Sequence, residues 1–276
     1  MANGKGRLRA DEYKRFTSSP VKCQILRQRI GSLSDYFSTI AVLITGAQKY
    51  WFRGHAKMNW SLTPSALRYK LEADRKRALQ LVSEFKRVAE IKLPRPPGSE
   101  DDLKWVQLAQ HYGIPTRLLD WTESATIGLY FACLGESAEP SDGMVFMLNP
   151  VDLNRLSYPQ KPRVLDAGED TRLIQEYLRL DAKQRKRGKG TVAVNPVWNS
   201  ERLMLQKGVF TLHGSHFDLD SDQASSLVAL PIFHESKVQL LKELERVGVD
   251  EMSIFPEIEH SCRFLVRKEG LYQENS

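Results

Sequence analysis

Between Leu108 and Ala132 the chain reads LAQHYGIPTRLLDWTESATIGLYFA, and few folds accommodate that run. Gly113 can take the left-handed position that closes a helix, and Pro115 blocks its continuation. TRLLDW (116–121) is then short and extended, and Thr122 stands as an N-cap for a helix over ESATIGLYFACL. Arg117 and Asp120 sit inside a stretch otherwise suited to burial. A buried charge has to be paired or hydrogen-bonded, because isolating it costs several kcal/mol or more. Three positions apart on a strand, the two side chains face opposite sides and need different partners. Asp120 with Arg53, and Arg117 with a distant Glu, would close a core by themselves; a polar ligand would satisfy them equally.

The flanking elements follow from periodicity. SLSDYFSTIAVLI (32–44) is a short helix capped by Ser32 or Ser34, and YWFRG (50–54) is an aromatic strand ending at a glycine. Residues 71–91 place Leu71, Ala78, Leu81, Phe85, Val88 and Ala89 at helical spacing, with one face inward. LPRPPGSE breaks that helix, and Asp101 or Asp102 opens the next, with Leu103, Val106, Ala109 and Tyr112 on its face. The small side of the following helix, Ala125, Gly128 and Ala132, suits close packing. GMVFML (143–148), TVAVNP (191–196), GVFTLH (208–213) and SLVALPIF (226–233) read as strands. Two last helices cover 235–248 and 257–269, and residues 1 to about 20 form a loose basic lead-in.

Composition narrows the function classes. The 276 residues are 41% hydrophobic and 27% charged, which suits a folded globular chain, and the mixture of helices and strands without an internal linker points to one α+β domain. A net charge of +6 suits an anionic ligand or weak nucleic-acid contact. Cys23, Cys133 and Cys262 are far apart and odd in number, so a reducing cytoplasm is expected. No apolar run reaches the roughly 18 residues of a membrane span.

WFRGH (51–55) puts Arg53 at the end of a strand, where arginine can grip a phosphate bidentately and Gly54 lets a ligand approach. Pairing of Arg53 with a carboxylate is the structural alternative. In WNSERLMLQKGVFTLH (198–213), Glu201 enters a strand and would present a carboxylate beside a cleft, to stabilise an oxocarbenium-like centre or orient a ribose hydroxyl; a solvated Glu at an element boundary has the same sequence. His213 and His216 lack a third ligand at a recognisable spacing, so no metal is expected. His111, in the last turn of a helix, favours the helix dipole when protonated. KQRKRGKG (183–190) reads as an exposed, solvated basic loop without interleaved aromatics; weak nucleic-acid contact through Lys183, Arg185, Lys186, Arg187 and Lys189 is the alternative. There is no Walker loop, GxGxxG or GxSxG.

WFRGH, EFKRVA (84–89), LAQHYGIPTRLLDWT with LYFA, ERLMLQKGVFTLH (201–213) and LLKELERVGVDEMSIFPEIE (240–259) occur in that order, and together they resemble the FRG domain family of bacteria and phages. The family takes its name from the Phe-Arg-Gly that here is Phe52, Arg53 and Gly54. The resemblance runs over residues 30–266, leaving 1–29 as a basic extension and 267–276 as a tail. A more distant similarity is to ADP-ribosyltransferases, with their Arg, Ser-Thr-Ser and Glu signature. It implies a small, split mixed sheet flanked by helices and NAD as substrate. Arg53 would grip the dinucleotide, Thr116 or Thr122 would stand where the middle serine belongs, and Glu201 would drive glycosidic cleavage. Gly54, His111, Arg117 and Gln206 complete the expected ligand pocket, and Asp120 and Trp121 a structural network. Ser-Thr-Ser is absent, and Arg117 and Asp120 have no counterpart in that signature. The implied function is ADP-ribosyl transfer or NAD glycohydrolysis of a toxin or defence type. The alternative is a non-catalytic module whose Arg/Asp network is structural and whose basic loop meets nucleic acid or an acidic partner.

Overall fold

The computed structural model describes residues 7–17, 23–44, 46, 48–135, 140–178, 190–197, 200–214, 219 and 224–271. Strands β1 (Gln24–Ile25), β2 (Trp51–His55), β3 (Leu118–Thr122), β4 (Gly143–Leu148), β5 (Thr191–Val194), β6 (Gly208–His213) and β7 (Leu227–Ile232) form a seven-stranded sheet in the order β1-β7-β4-β2-β3-β6-β5. β1 and β7 run parallel; every other neighbour is antiparallel, so the sheet is mixed. All six residues of β4 are buried, as expected of a short continuous apolar run. The expected split is not found: all seven strands share one sheet. It narrows, however, to a single ladder pair, Phe52 with Thr122, between β2 and β3.

Eleven α-helices flank the sheet among the described residues. They are α1 (Ala10–Thr17), α2 (Leu33–Leu43), α3 (Glu72–Lys92), α4 (Asp102–His111), α5 (Ala125–Cys133), α6 (Pro150–Ser157), α7 (Thr171–Leu178), α8 (Glu201–Leu205), α9 (His234–Arg246), α10 (Glu251–Ile254) and α11 (Ile258–Lys268). None is long and apolar enough to cross a membrane.

The pleat sorts the core. Trp51, Leu119, Trp121, Phe146 and Val209 face one side, with Phe16 of α1 and Leu153 of α6. On the other side the cover changes along the sheet. Phe52, Val145 and Met147 meet Ile127 and Leu129 of α5 and Tyr36 of α2. Leu118, Phe210, Leu212 and Val192 meet Leu103 of α4 and Ile174 and Tyr177 of α7. Between the α5 cover and the α4 cover, the middle of β3 is left without a helix over it: Asp120 is exposed between buried Leu119 and Trp121.

Several expectations are corrected. The N-terminal lead-in is, over its described part, α1, with Leu8 and Phe16 in the core. Ser32 is the cap of α2, accepting from the Asp35 amide. Ser124 rather than Thr122 caps α5, accepting from the Ile127 amide, while Thr122 stays in β3. Of the six residues expected on the inward face of this helix, only Ala78 and Ala89 are buried, because little but α4 and a short 3-10 turn at Ser65–Leu67 covers α3, and Leu71 is its N-cap. Glu201 opens a helix instead of entering a strand: Ser200 caps it through the Leu203 amide, and an acidic first turn suits the dipole. Lys207, at φ 46°, ends that helix and turns the chain into β6.

Candidate functional site

A cavity of about 330 Å³ occupies the gap between the two helical covers. Its floor is Phe52 and Gly54 of β2, Asp120 and Thr122 of β3, and Phe210 of β6. Asp120 and Phe210 are direct ladder partners, so both side chains rise from the same face. Gln107, Gln110 and His111 of α4 form one wall and Phe131 of α5 the other. Ser200, Arg202, Leu203 and Gln206, on and beside α8, close the end. Arg53 and Trp121 also line it, although the pleat points them to the opposite face. Arg53 reaches it where β2 and β3 part beyond the Phe52–Thr122 pair.

Arg53 bridges that opening. Its Nη1 donates to the Asp120 backbone carbonyl at 2.6 Å, and its Nε donates to His55 Nε2 at 2.9 Å. Both acceptors are neutral groups, and no carboxylate lies within ion-pair distance of Arg53 among the described residues. Desolvation pulls its pKa down to about 10, with Arg68 adding to the fall and the Asp120 charge opposing it, so the guanidinium is still charged at neutral pH. A partly buried cation without a counter-ion favours an anion beside it.

Asp120 is held separately. Gln110 Nε2 donates to Asp120 Oδ1 at 2.6 Å, while Thr116 Oγ1 donates to Gln110 Oε1 and itself accepts from the Leu118 amide. This Thr116–Gln110–Asp120 relay fixes the carboxylate without neutralising it. Asp120 is the only carboxylate among the cavity-lining residues.

His55 is buried, and its pKa is driven well below 6.5 by desolvation first and then by the Arg53 charge, with Arg68 adding. The neutral ring is what lets Nε2 accept from Arg53. A lowered folded-state pKa means that the unfolded chain binds a proton the fold refuses once pH drops below about 6.5. His111 and His260 shift the same way, each chiefly by desolvation. Stability should therefore be complete above that pH and decline as pH falls through the acid side. His55→Gln, which keeps an acceptor, should flatten that decline in urea midpoints measured from pH 7.5 to 5. An unchanged slope would contradict the assignment.

Of the residues expected from sequence, Arg53, Gly54, His111, Asp120, Trp121, Thr122 and Gln206 line one cavity. Thr116 is buried behind it and acts through Gln110. Arg117 is buried and donates to the Tyr177 carbonyl at 3.0 Å, away from the cavity lining. Glu201 is exposed in the first turn of α8 and is not among the lining residues. His111, expected as a charged dipole cap, is pushed toward the neutral form by burial and by Arg202. Asp120 and Arg53 meet through the Asp120 carbonyl, not as the expected ion pair. Trp121 does bond within the core, its Nε1 donating to Thr211 Oγ1 at 3.0 Å. Thr122 Oγ1 donates to the Gln206 carbonyl at 2.7 Å, tying β3 to the end of α8. The basic loop at 183–189 lies outside the described residues.

Sequence reasoning missed Gln107 and Gln110, although a signal was present. With Leu103 they stand at i, i+4 and i+7, so the inward stripe of α4 carries two carboxamides. Arg202 was missed because its role rests on distant contacts: Glu257 at 3.4 Å and the Phe255 ring at 4.9 Å.

The fold and cavity define a mixed α/β protein with one cleft opening between two strands of its single sheet. Residues 48–141 match the model of the FRG domain, so this is an FRG domain-containing protein. The match takes in β2, α3, α4, β3 and α5, hence Arg53, Gln110 and Asp120, and is shorter than the 30–266 expected from the motifs. No curated protein and no solved structure matches the chain.

Proposed function

We propose that the cleft binds a nucleotide-class ligand, with NAD the substrate to test, and that Asp120 supplies the carboxylate for cleavage at the glycosidic carbon. The observation that supports this most is the placement of a guanidinium with no carboxylate in ion-pair distance among the described residues, and a fixed carboxylate, on adjacent, parted strands in one cavity. Aromatic and carboxamide side chains make up much of the remaining wall, which suits a planar, hydrogen-bonding ligand. In this reading Arg53 holds a phosphoryl oxygen through its remaining N–H groups. Asp120 stabilises positive charge developing at the ribosyl carbon. The carbon–nitrogen bond breaks, nicotinamide leaves with the electron pair, and water or an acceptor nucleophile adds to the carbon and loses a proton. Glu201 is not among the residues lining the cleft, so this reading gives the carboxylate role to Asp120 instead.

Incubating the purified protein with NAD and following nicotinamide release tests the reaction, while titration with ADP tests binding alone. Arg53→Ala should weaken ADP binding by about 10–10²-fold, the worth of a charge-assisted hydrogen bond. Glu201→Gln should behave as wild type in both assays. ADP binding without turnover of NAD would favour a non-catalytic module using the same cleft. Equal ADP affinity in Arg53→Ala and wild type would remove the anion site.

A further inference from the structure

Gln107 carries an unspent donor. The residue is 4% exposed and lines the cleft, yet its Nε2 has no hydrogen-bond partner among the described residues. Its orientation is set by the other end: the Val197 amide donates to Gln107 Oε1 at 3.3 Å, and a backbone N–H can be met only by the oxygen. A buried donor left unpaired costs about 1–3 kcal/mol, so such a group on a cavity wall points to a partner that arrives with the ligand.

The place of Gln107 in the cleft says which part of the ligand it meets. The floor crosses three strands, from β2 through β3 to β6, which at about 4.8 Å per strand spans roughly 10 Å. Arg53 stands at the β2 end and Asp120 in the middle. At the β6 end are Phe210, Leu203 and Gln107, an apolar ring-and-chain surface with one donor. Resting on the nucleotide reading above, we propose that Gln107 is a specificity-determining residue: its amide N–H donates to an acceptor atom on the ligand's planar group. The ligand is thereby oriented with its anionic end on Arg53 and its ring against Phe210. The last torsion of a glutamine is broad, and the Val197 bond is long for N–H···O, so a modest rotation presents the amine to the cavity.

The test compares ADP, which has both an anionic and a planar end, with inorganic pyrophosphate, which has only the first. Both are titrated into wild-type protein, Gln107→Met and Gln107→Glu, with ligand-free thermal unfolding measured alongside. Gln107→Met should bind ADP about tenfold more weakly and pyrophosphate as wild type does, with its ligand-free midpoint little changed, because removal of the buried unpaired donor offsets loss of the acceptor for the Val197 amide. Gln107→Glu keeps the acceptor for Val197 and loses the donor, and should also lose more affinity for ADP than for pyrophosphate. Equal losses for both probes, or unchanged ADP affinity with a lower midpoint in Gln107→Met, would overturn the assignment and make Gln107 structural. Wild-type protein that binds pyrophosphate as well as ADP would remove the ring subsite and leave the anion site standing. Binding of neither probe would remove the nucleotide reading itself, and this proposal with it.

Discussion

Asp120→Asn should lower NAD turnover by about 10²–10³-fold, the usual loss when one group stabilising a developing charge is removed, while ADP affinity and the unfolding midpoint stay close to wild type. The reason is local. Asn keeps the shape and can still accept from Gln110 Nε2, so the Thr116–Gln110 relay persists. The bond from Arg53 goes to the backbone carbonyl of residue 120, which the substitution leaves alone. What disappears is the negative charge at the middle of the cleft. Initial rates of nicotinamide release, set beside ADP titration and thermal unfolding of the same preparations, separate the outcomes. A variant that turns over normally would take the carboxylate out of the chemistry. A variant that unfolds readily would make Asp120 part of the framework instead.

Gly54→Ala should destabilise the fold severely, by about 3 kcal/mol or more, at or above the usual range for overpacking. A Cβ at position 54 would lie 2.1 Å from the Gly128 carbonyl oxygen and 2.3 Å from the Ala132 nitrogen, both backbone atoms of α5. Neither can move unless the whole helix lifts from the sheet. The reciprocal contact is almost as close: a Cβ on Gly128 would meet Phe52 Cβ at 2.7 Å. Because the two glycines share one interface, Gly128→Ala should also destabilise, and the double variant should lose less than the sum. Urea midpoints of the three variants check this. A Gly54→Ala protein as stable as wild type would mean that α5 does not lie against β2 as described. The glycine after Arg53 is thus demanded by helix–sheet packing, whatever ligand occupies the cleft.

Local chemistry made most elements legible. Gly113 at φ 83° and Gly248 at φ 79° do close the helices they were expected to close, and the small residues of α5 do pack closely. Strand pairing was not legible. Nothing in YWFRG says that β2 will touch β3 at a single pair, and that gap is what brings Arg53 into the cavity. Glu201 was placed at a strand entry because apolar residues follow it, whereas Ser200 and the acidic first turn make it the start of a helix. Asp120 was read as structural since a strand aspartate between Leu119 and Trp121 looks locked in. Its exposure depends on where α4 and α5 end, which is a tertiary fact. Gln107 and Gln110 could have been found by asking why carboxamides occupy the inward stripe of α4.

Everything in the functional account depends on a nucleotide seated between Arg53 and Asp120. The most direct measurement is calorimetric titration of the wild-type protein with ADP at two ionic strengths, beside Arg53→Ala. Saturable one-to-one binding that is strongly weakened in the variant, and moderately weakened by salt, is the expected result. No heat of binding to wild type, or a wild-type isotherm in Arg53→Ala, would contradict it.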